Sequence, residues 1–60
     1  MELSNILKSW RKKSGLKQVE LAEKFKVTQQ LISAYESGGA IPSLEIFLMY
    51  LELAGIKLPV

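Results

Sequence analysis

The chain has no cysteine and no histidine. The first absence removes disulfides and thiolate metal sites. The second leaves only carboxylates for zinc, an unusual ligand set in structural sites. Both absences also remove side chains that serve most readily as nucleophile or general base near neutral pH, leaving scattered carboxylates and lysines. No two acidic residues form a recognisable pocket pattern. Gly38-Gly39 follows a helical segment and lacks the strand and lysine of a phosphate-binding loop. Neither an enzyme nor a cofactor is expected. Long apolar runs are missing too. The longest, Ile46 to Leu51, lies between Glu45 and Glu52 and falls far short of the roughly 20 residues that span a bilayer. Met1 to Ser14 is amphipathic, unlike the continuous apolar stretch of a signal peptide. The expectation is a soluble, cytoplasmic protein with no membrane partner.

Sixty residues form one domain, 1–60, and a small one. A chain of this size buries only about 60% of the surface its unfolded state exposes, so small domains often lean on disulfides, metals or oligomers. With the first two excluded, oligomerisation remains. The net charge is only +2, from eight basic and six acidic residues. Its distribution says more. Lys8, Arg11, Lys12, Lys13, Lys17, Lys24 and Lys26 all lie in the first half, against Lys57 alone in the second. Such a basic half is the electrostatic footprint of a phosphate-binding face, or else a solvated helix surface.

Periodicity and punctuation predict four helices. The first runs from near Leu3 to Lys13, with Leu3, Ile6, Leu7 and Trp10 on one face and Gly15 at a left-handed C-terminal position. Trp10 reads as a core residue. The second spans about Lys17 to Phe25, with Leu21, Ala22 and Phe25 on one face. Thr28 is a plausible N-cap for the third, which carries Leu31, Ile32 and Tyr35 inward and ends at Gly38 and Gly39. Only Lys26 and Val27 separate the second and third, so these two should cross steeply. The fourth starts after Pro42 and ends near Gly55. It is apolar almost all round, which implies a second covered face and hence another copy of the chain. Ile56 to Val60 alternate like a short strand, with Pro59 confining it to an edge.

Gln18, Leu21, Ala22, Val27, Ile32 and Glu36 occur at the spacings of a helix-turn-helix unit, with Ala22 where the two helices pack closest. Thr28, Gln29, Gln30, Ser33, Ala34 and Ser37 are then left polar or small on the opposite face of the third helix. The stretch Gly15-Leu16-Lys17-Gln18-Val19-Glu20-Leu21-Ala22, with Val27-Thr28-Gln29-Gln30, Ile32-Ser33 and Glu36-Ser37-Gly38, resembles the phage repressor and Cro family of DNA-binding domains. The match extends back to Arg11 and forward through Pro42-Ser43-Leu44-Glu45 to Leu53-Ala54-Gly55.

The resemblance implies an all-α bundle of four to five helices whose third helix enters the major groove. Gln29, Gln30 and Ser33 fall on base-reading positions, and a glutamine amide can pair bidentately with adenine. Lys17, Gln18, Thr28, Arg11 and Ser37 form the expected backbone-contact set. Gln18 opens the second helix, whose amide end assists phosphate binding. Arg11 and Glu36 match positions that form a partly buried ion pair in relatives. Lys17 departs from the family's small polar cap, Lys26 replaces the glycine usual in the turn, and the loop Ser37 to Ile41 lacks the family's basic residue. The ending is similar to DNA-binding antitoxins paired with kinase toxins, whose tails pair across a dimer axis. Residues 43–60 therefore double as the expected dimerisation element, with Phe47, Tyr50, Leu51, Ile56 and Leu58 at the interface. The leading expectation is a homodimeric repressor of bacterial or phage type, acting on an inverted-repeat operator of double-stranded DNA and found on the nucleoid. The alternatives are an antitoxin that holds a partner toxin and autoregulates, and an autorepressor of a phage operon such as those accompanying anti-CRISPR genes.

Overall fold

The computed structural model describes residues 2–56, most of them in four helices: α1 (Leu3–Lys13), α2 (Gln18–Phe25), α3 (Gln29–Ser37) and α4 (Leu44–Leu53). Class and helix order agree with the sequence expectation, and the described residues contain no strand. Lys57 to Val60, which hold most of the expected strand-like tail and Leu58, lie outside the described residues.

The helix ends follow from local chemistry. Thr28 and Ser43 cap α3 and α4, their hydroxyl oxygens accepting from the amides of Leu31 at 3.2 Å and Ile46 at 3.3 Å. Pro42 is buried one residue before the second of these caps, outside the helix rather than in its first turn. Lys17 is the N-cap of α2, and a protonated lysine has no lone pair to accept with. Instead the Glu20 carboxylate reaches back to accept from the Lys17 amide at 2.8 Å, one half of a capping box. Gly38 ends α3 at φ +88°, a left-handed conformation that costs a side chain with a Cβ about 1–2 kcal/mol. Gly39 then donates back to the Ala34 carbonyl at 2.9 Å.

Leu7, Leu21, Ala22, Phe25, Ile32, Tyr35 and Tyr50 form the core. α3 packs on both α1 and α2, and α4 closes over α1. Trp10 is half-buried against this core, its ring centroid 6.0 Å from that of Phe47 on α4. Phe25 and Tyr50 meet edge to face at 5.1 Å, a geometry that contributes about 0.5–1.5 kcal/mol beyond area burial. One expectation shifts. The buried line of α1 runs through Ser4, Leu7 and Arg11, while Ile6 and Trp10 flank it and Leu3 is exposed. A charged residue sits on that line because its charge is matched from α3.

Two of the expected interface residues belong to the core. Tyr50 has no accessible surface and Leu51 is buried, so the monomer's own packing uses both. The apolar face that α4 does expose is Leu44 and Leu48, preceded in the loop by Ile41. The helix also has a polar sector, since Glu45 and Glu52 are exposed.

The Tyr50 hydroxyl is buried with no hydrogen-bond partner among the described residues. Burial holds its pKa above the ordinary tyrosine value, and the negative charge of Glu36 adds to the effect. An unpartnered buried hydroxyl costs about 1–3 kcal/mol, so Tyr50→Phe should be neutral or stabilise by about 1 kcal/mol in urea unfolding at pH 7. The unfolded tyrosine ionises near pH 10, whereas the folded one stays neutral to higher pH. Above pH 10 the unfolded state therefore binds fewer protons, and wild-type stability falls as pH rises. The advantage of Tyr50→Phe should widen there, by up to about 1.4 kcal/mol per pH unit. A gap that stays constant from pH 8 to pH 11 would contradict this account of the hydroxyl.

Candidate nucleic-acid interface

The turn between α2 and α3 contains three residues, Lys26, Val27 and Thr28, and each has a distinct task. Lys26 takes a left-handed conformation, φ 59° and ψ 43°. Its amide donates to Glu23 O at 3.2 Å, and the Val27 amide donates to Ala22 O at 3.0 Å. This pair of bonds is the Schellman closure, normally built on glycine. Val27 is half-buried and packs against the core, and Thr28 already caps α3. The connection is thus one helix stop fused to one helix start, with Ala22 buried beside it.

This turn presents the first turn of α3 outward. Gln29, Gln30 and Ser33 are exposed, and with Gln18 from the start of α2 they line a shallow cleft of about 220 Å³. The three expected base-reading residues therefore share one concave surface with an expected backbone contact. Thr28 is exposed beside them. Its oxygen accepts from Leu31, and its hydroxyl hydrogen is free to donate, so capping and phosphate contact are compatible.

Behind the cleft lies a buried polar cluster. Arg11 donates from Nε to Glu36 Oε2 at 2.7 Å and from Nη2 to Glu36 Oε1 at 3.0 Å, a bidentate pair. Its Nη1 donates to the Leu16 carbonyl at 2.8 Å. Gln18 Nε2 donates to Glu36 Oε1 at 3.2 Å. The Arg11–Glu36 pair expected from the resemblance is present, and both residues are buried. That burial corrects one backbone contact: the guanidinium of Arg11 is committed to Glu36 and Leu16 and is not free for a phosphate.

Ser37 is exposed, but its hydroxyl donates to Ala34 O at 3.3 Å, so it too is engaged inside its own helix. Among the described residues, the exposed cations are lysines. Lys8, Lys12, Lys13, Lys17, Lys24 and Lys26 are all exposed. Two features escape the sequence reading. Glu20 stands at the third position of α2, where a capping box is legible; the Gln18–Glu36 bond spans two helices and leaves no local sequence signal. Among the described residues, no three potential metal-binding side chains come together.

On α4, Phe47 is half-buried against Trp10 of α1, and Ile56 is exposed just after the Gly55 turn. Among the described residues, no helix is long and apolar enough to cross a membrane.

A second helix that buttresses a third, with the third offering a polar first turn to solvent, defines a helix-turn-helix protein. The family described as Helix-turn-helix matches residues 7–60, and this chain belongs to it. It is a family of DNA-binding transcription regulators. The chain is 34% identical over 58 residues to Endothelial differentiation-related factor 1 of Homo sapiens and to that of Rattus norvegicus. Those 58 residues are 97% of this chain but 39% of either relative, so the chain spans about two fifths of the curated relatives it matches. No solved structure matches it.

The strained position in the turn gives a direct test. Lys26→Gly removes the Cβ that opposes a left-handed φ, a relief of about 1–2 kcal/mol, and loosens the unfolded chain at a cost of about 0.4–1 kcal/mol. The net gain should be about 0.5–1 kcal/mol, which in a domain this small raises Tm by roughly 2–8 °C. Lys26→Ala keeps the Cβ and should give no such gain. Equal melting of the two variants would show that the turn carries no backbone strain.

Proposed function

We propose that this protein is a sequence-specific repressor that binds double-stranded DNA as a homodimer and regulates transcription from an inverted-repeat operator. The observation that carries the reading is the cleft formed by Gln18, Gln29, Gln30 and Ser33 at the start of α3. Gln29 and Gln30 read base edges, each amide offering adjacent donor and acceptor groups to adenine N6 and N7. Ser33 follows one turn further along the same face. Gln18, Thr28 and Lys17 contact the backbone, and the exposed lysines add salt-dependent, sequence-independent affinity. The protein works in the cytoplasm, on the nucleoid.

Two copies associate through the surface that α4 leaves uncovered. Leu44 and Leu48, 73% and 40% exposed, stand one turn apart and form a short ridge on α4, and Ile41 in the loop before it and Ile56 after it add further exposed apolar side chains. A two-fold dimer would place its two α3 helices in successive major grooves, ~34 Å apart. The same ridge supports a second reading, an interaction protein of antitoxin type that holds a protein partner there and binds DNA to regulate its own operon.

A binding titration against a duplex selected from a random pool, beside a scrambled duplex, tests the reading of sequence. Gln29→Ala and Gln30→Ala should each weaken specific binding by roughly 5- to 150-fold while scrambled DNA is bound as before. Equal loss on both duplexes would remove these residues from base reading. Dimerisation is tested by sedimentation. Wild type should sediment as a dimer, and Leu44→Glu with Leu48→Glu should yield a folded monomer. A monomeric wild type would overturn the homodimer and turn the ridge toward a different protein.

A further inference from the structure

The Glu36 carboxylate accepts three hydrogen bonds, and an ion pair with Arg11 accounts for only two of them. The third comes from Gln18 Nε2 at 3.2 Å. A carboxylate has only lone pairs to offer, so a glutamine beside it must turn its nitrogen, not its oxygen, inward. The carboxylate itself cannot swing away. Arg11 grips both of its oxygens and is in turn anchored on Leu16 O at 2.8 Å.

We infer that Glu36, braced by Arg11, is a positioning residue for DNA binding: it sets which way up the Gln18 amide lies at the cleft shared with Gln29, Gln30 and Ser33. The inference rests on the DNA-binding reading above. With one N–H held by Glu36, Gln18 keeps one N–H and its carbonyl oxygen. The remaining N–H suits a phosphate oxygen, which also only accepts. One neutral amide nitrogen then spans two anions, the buried carboxylate on one side and the DNA backbone on the other. Glutamate at this position would lack the donor and repel both anions. Methionine would match the length and provide neither group. A lysine would add a charge that Glu36 draws inward. The contact is to the backbone, so it positions the reading head without itself selecting a base.

The first measurement uses the wild-type protein without DNA. The side-chain NH₂ protons of Gln18, followed by NMR, should exchange with water more slowly than those of the exposed Gln29 and Gln30. Exchange at one common rate for all three would overturn the inference. The second is a double-mutant cycle on a duplex selected from a random pool by the wild type, with folding of every variant checked by circular dichroism. Gln18→Met should weaken binding roughly tenfold on selected and scrambled duplexes alike, as loss of a hydrogen bond to a charged group implies. Glu36→Gln should weaken binding in the wild-type background and have little further effect beside Gln18→Met. The same factor in both backgrounds would make Glu36 purely structural and overturn the proposal. Should Glu36→Gln fail to fold, Gln18→Glu, altered only at a partly exposed residue, should weaken binding at least as much as Gln18→Met. Binding at wild-type strength by Gln18→Glu would overturn it. A wild type that binds no duplex would instead overturn the DNA-binding reading itself, and that outcome appears before any variant is made.

Discussion

The bidentate bond between Arg11 and Glu36 is the contact on which the geometry of the molecule depends. It joins α1 to α3, reaches the turn before α2 through Leu16 and the first residue of α2 through Gln18. Every element of the helix-turn-helix unit therefore meets at one carboxylate and one guanidinium. A buried ion pair adds little net stability, because desolvating each ion costs several kcal/mol that their attraction roughly offsets. Its value lies in direction. The apolar core of Leu7, Leu21, Ile32 and Tyr50 supplies a non-directional driving force that tolerates small rotations of a helix. Hydrogen bonds of 2.7 and 3.0 Å do not. Core and cluster thus divide the work: one holds the helices together, the other fixes the angle at which α3 is shown to solvent.

The turn between α2 and α3 applies the same economy to the backbone. A Schellman stop uses a left-handed residue with an apolar residue after it, and a helix start gains from a hydroxyl cap. Lys26, Val27 and Thr28 meet those three needs consecutively, with no residue to spare. The fusion leaves α2 and α3 joined by three residues alone. It also explains why a lysine is retained in a conformation that opposes it. The hydrogen bonds from Lys26 and Val27 back to Glu23 and Ala22 are backbone bonds, available to any residue that accepts the left-handed φ. The strain is local, and the geometry it maintains is shared by both helices.

Much of this was legible in the sequence, and the failures have a common cause. Helix boundaries came out within a residue or so, because they are marked by caps, glycines and Pro42, all local signals. The cleft residues Gln29, Gln30 and Ser33 followed from the motif spacing. Burial of charge was less legible. The resemblance pairs Arg11 with Glu36 and leaves it a phosphate contact as well, and only the packing of α1 on α3 shows how deeply the pair is buried. Tyr50 and Leu51 were misread for the converse reason. A helix that is apolar all round has no periodic signal to separate its inner face from its outer one, so residues of either face read equally as interface candidates. The inner face proved to be Tyr50 and Leu51, with Ile46, Phe47, Met49 and Leu53 half-buried around them.

What remains exposed on α4 is a narrow sector divided between two leucines and two glutamates. The division separates two kinds of surface within the domain. The lysines and glutamines that suit an anionic polymer come from α1, α2, the turn after it and the start of α3, whereas Ile41, Leu44 and Leu48, among the exposed apolar side chains, lie on α4 and the loop before it, with Leu3 and Val19 exposed on α1 and α2. α1 is the link, since it carries Arg11 toward Glu36 and Trp10 toward Phe47. Phe47 lies one helical turn beyond Leu44, at the edge of the exposed ridge. Through Trp10 that edge rests on α1, the helix that also packs on α3. The two surfaces are distinct in chemistry, and α1 is the helix that touches the frame of both.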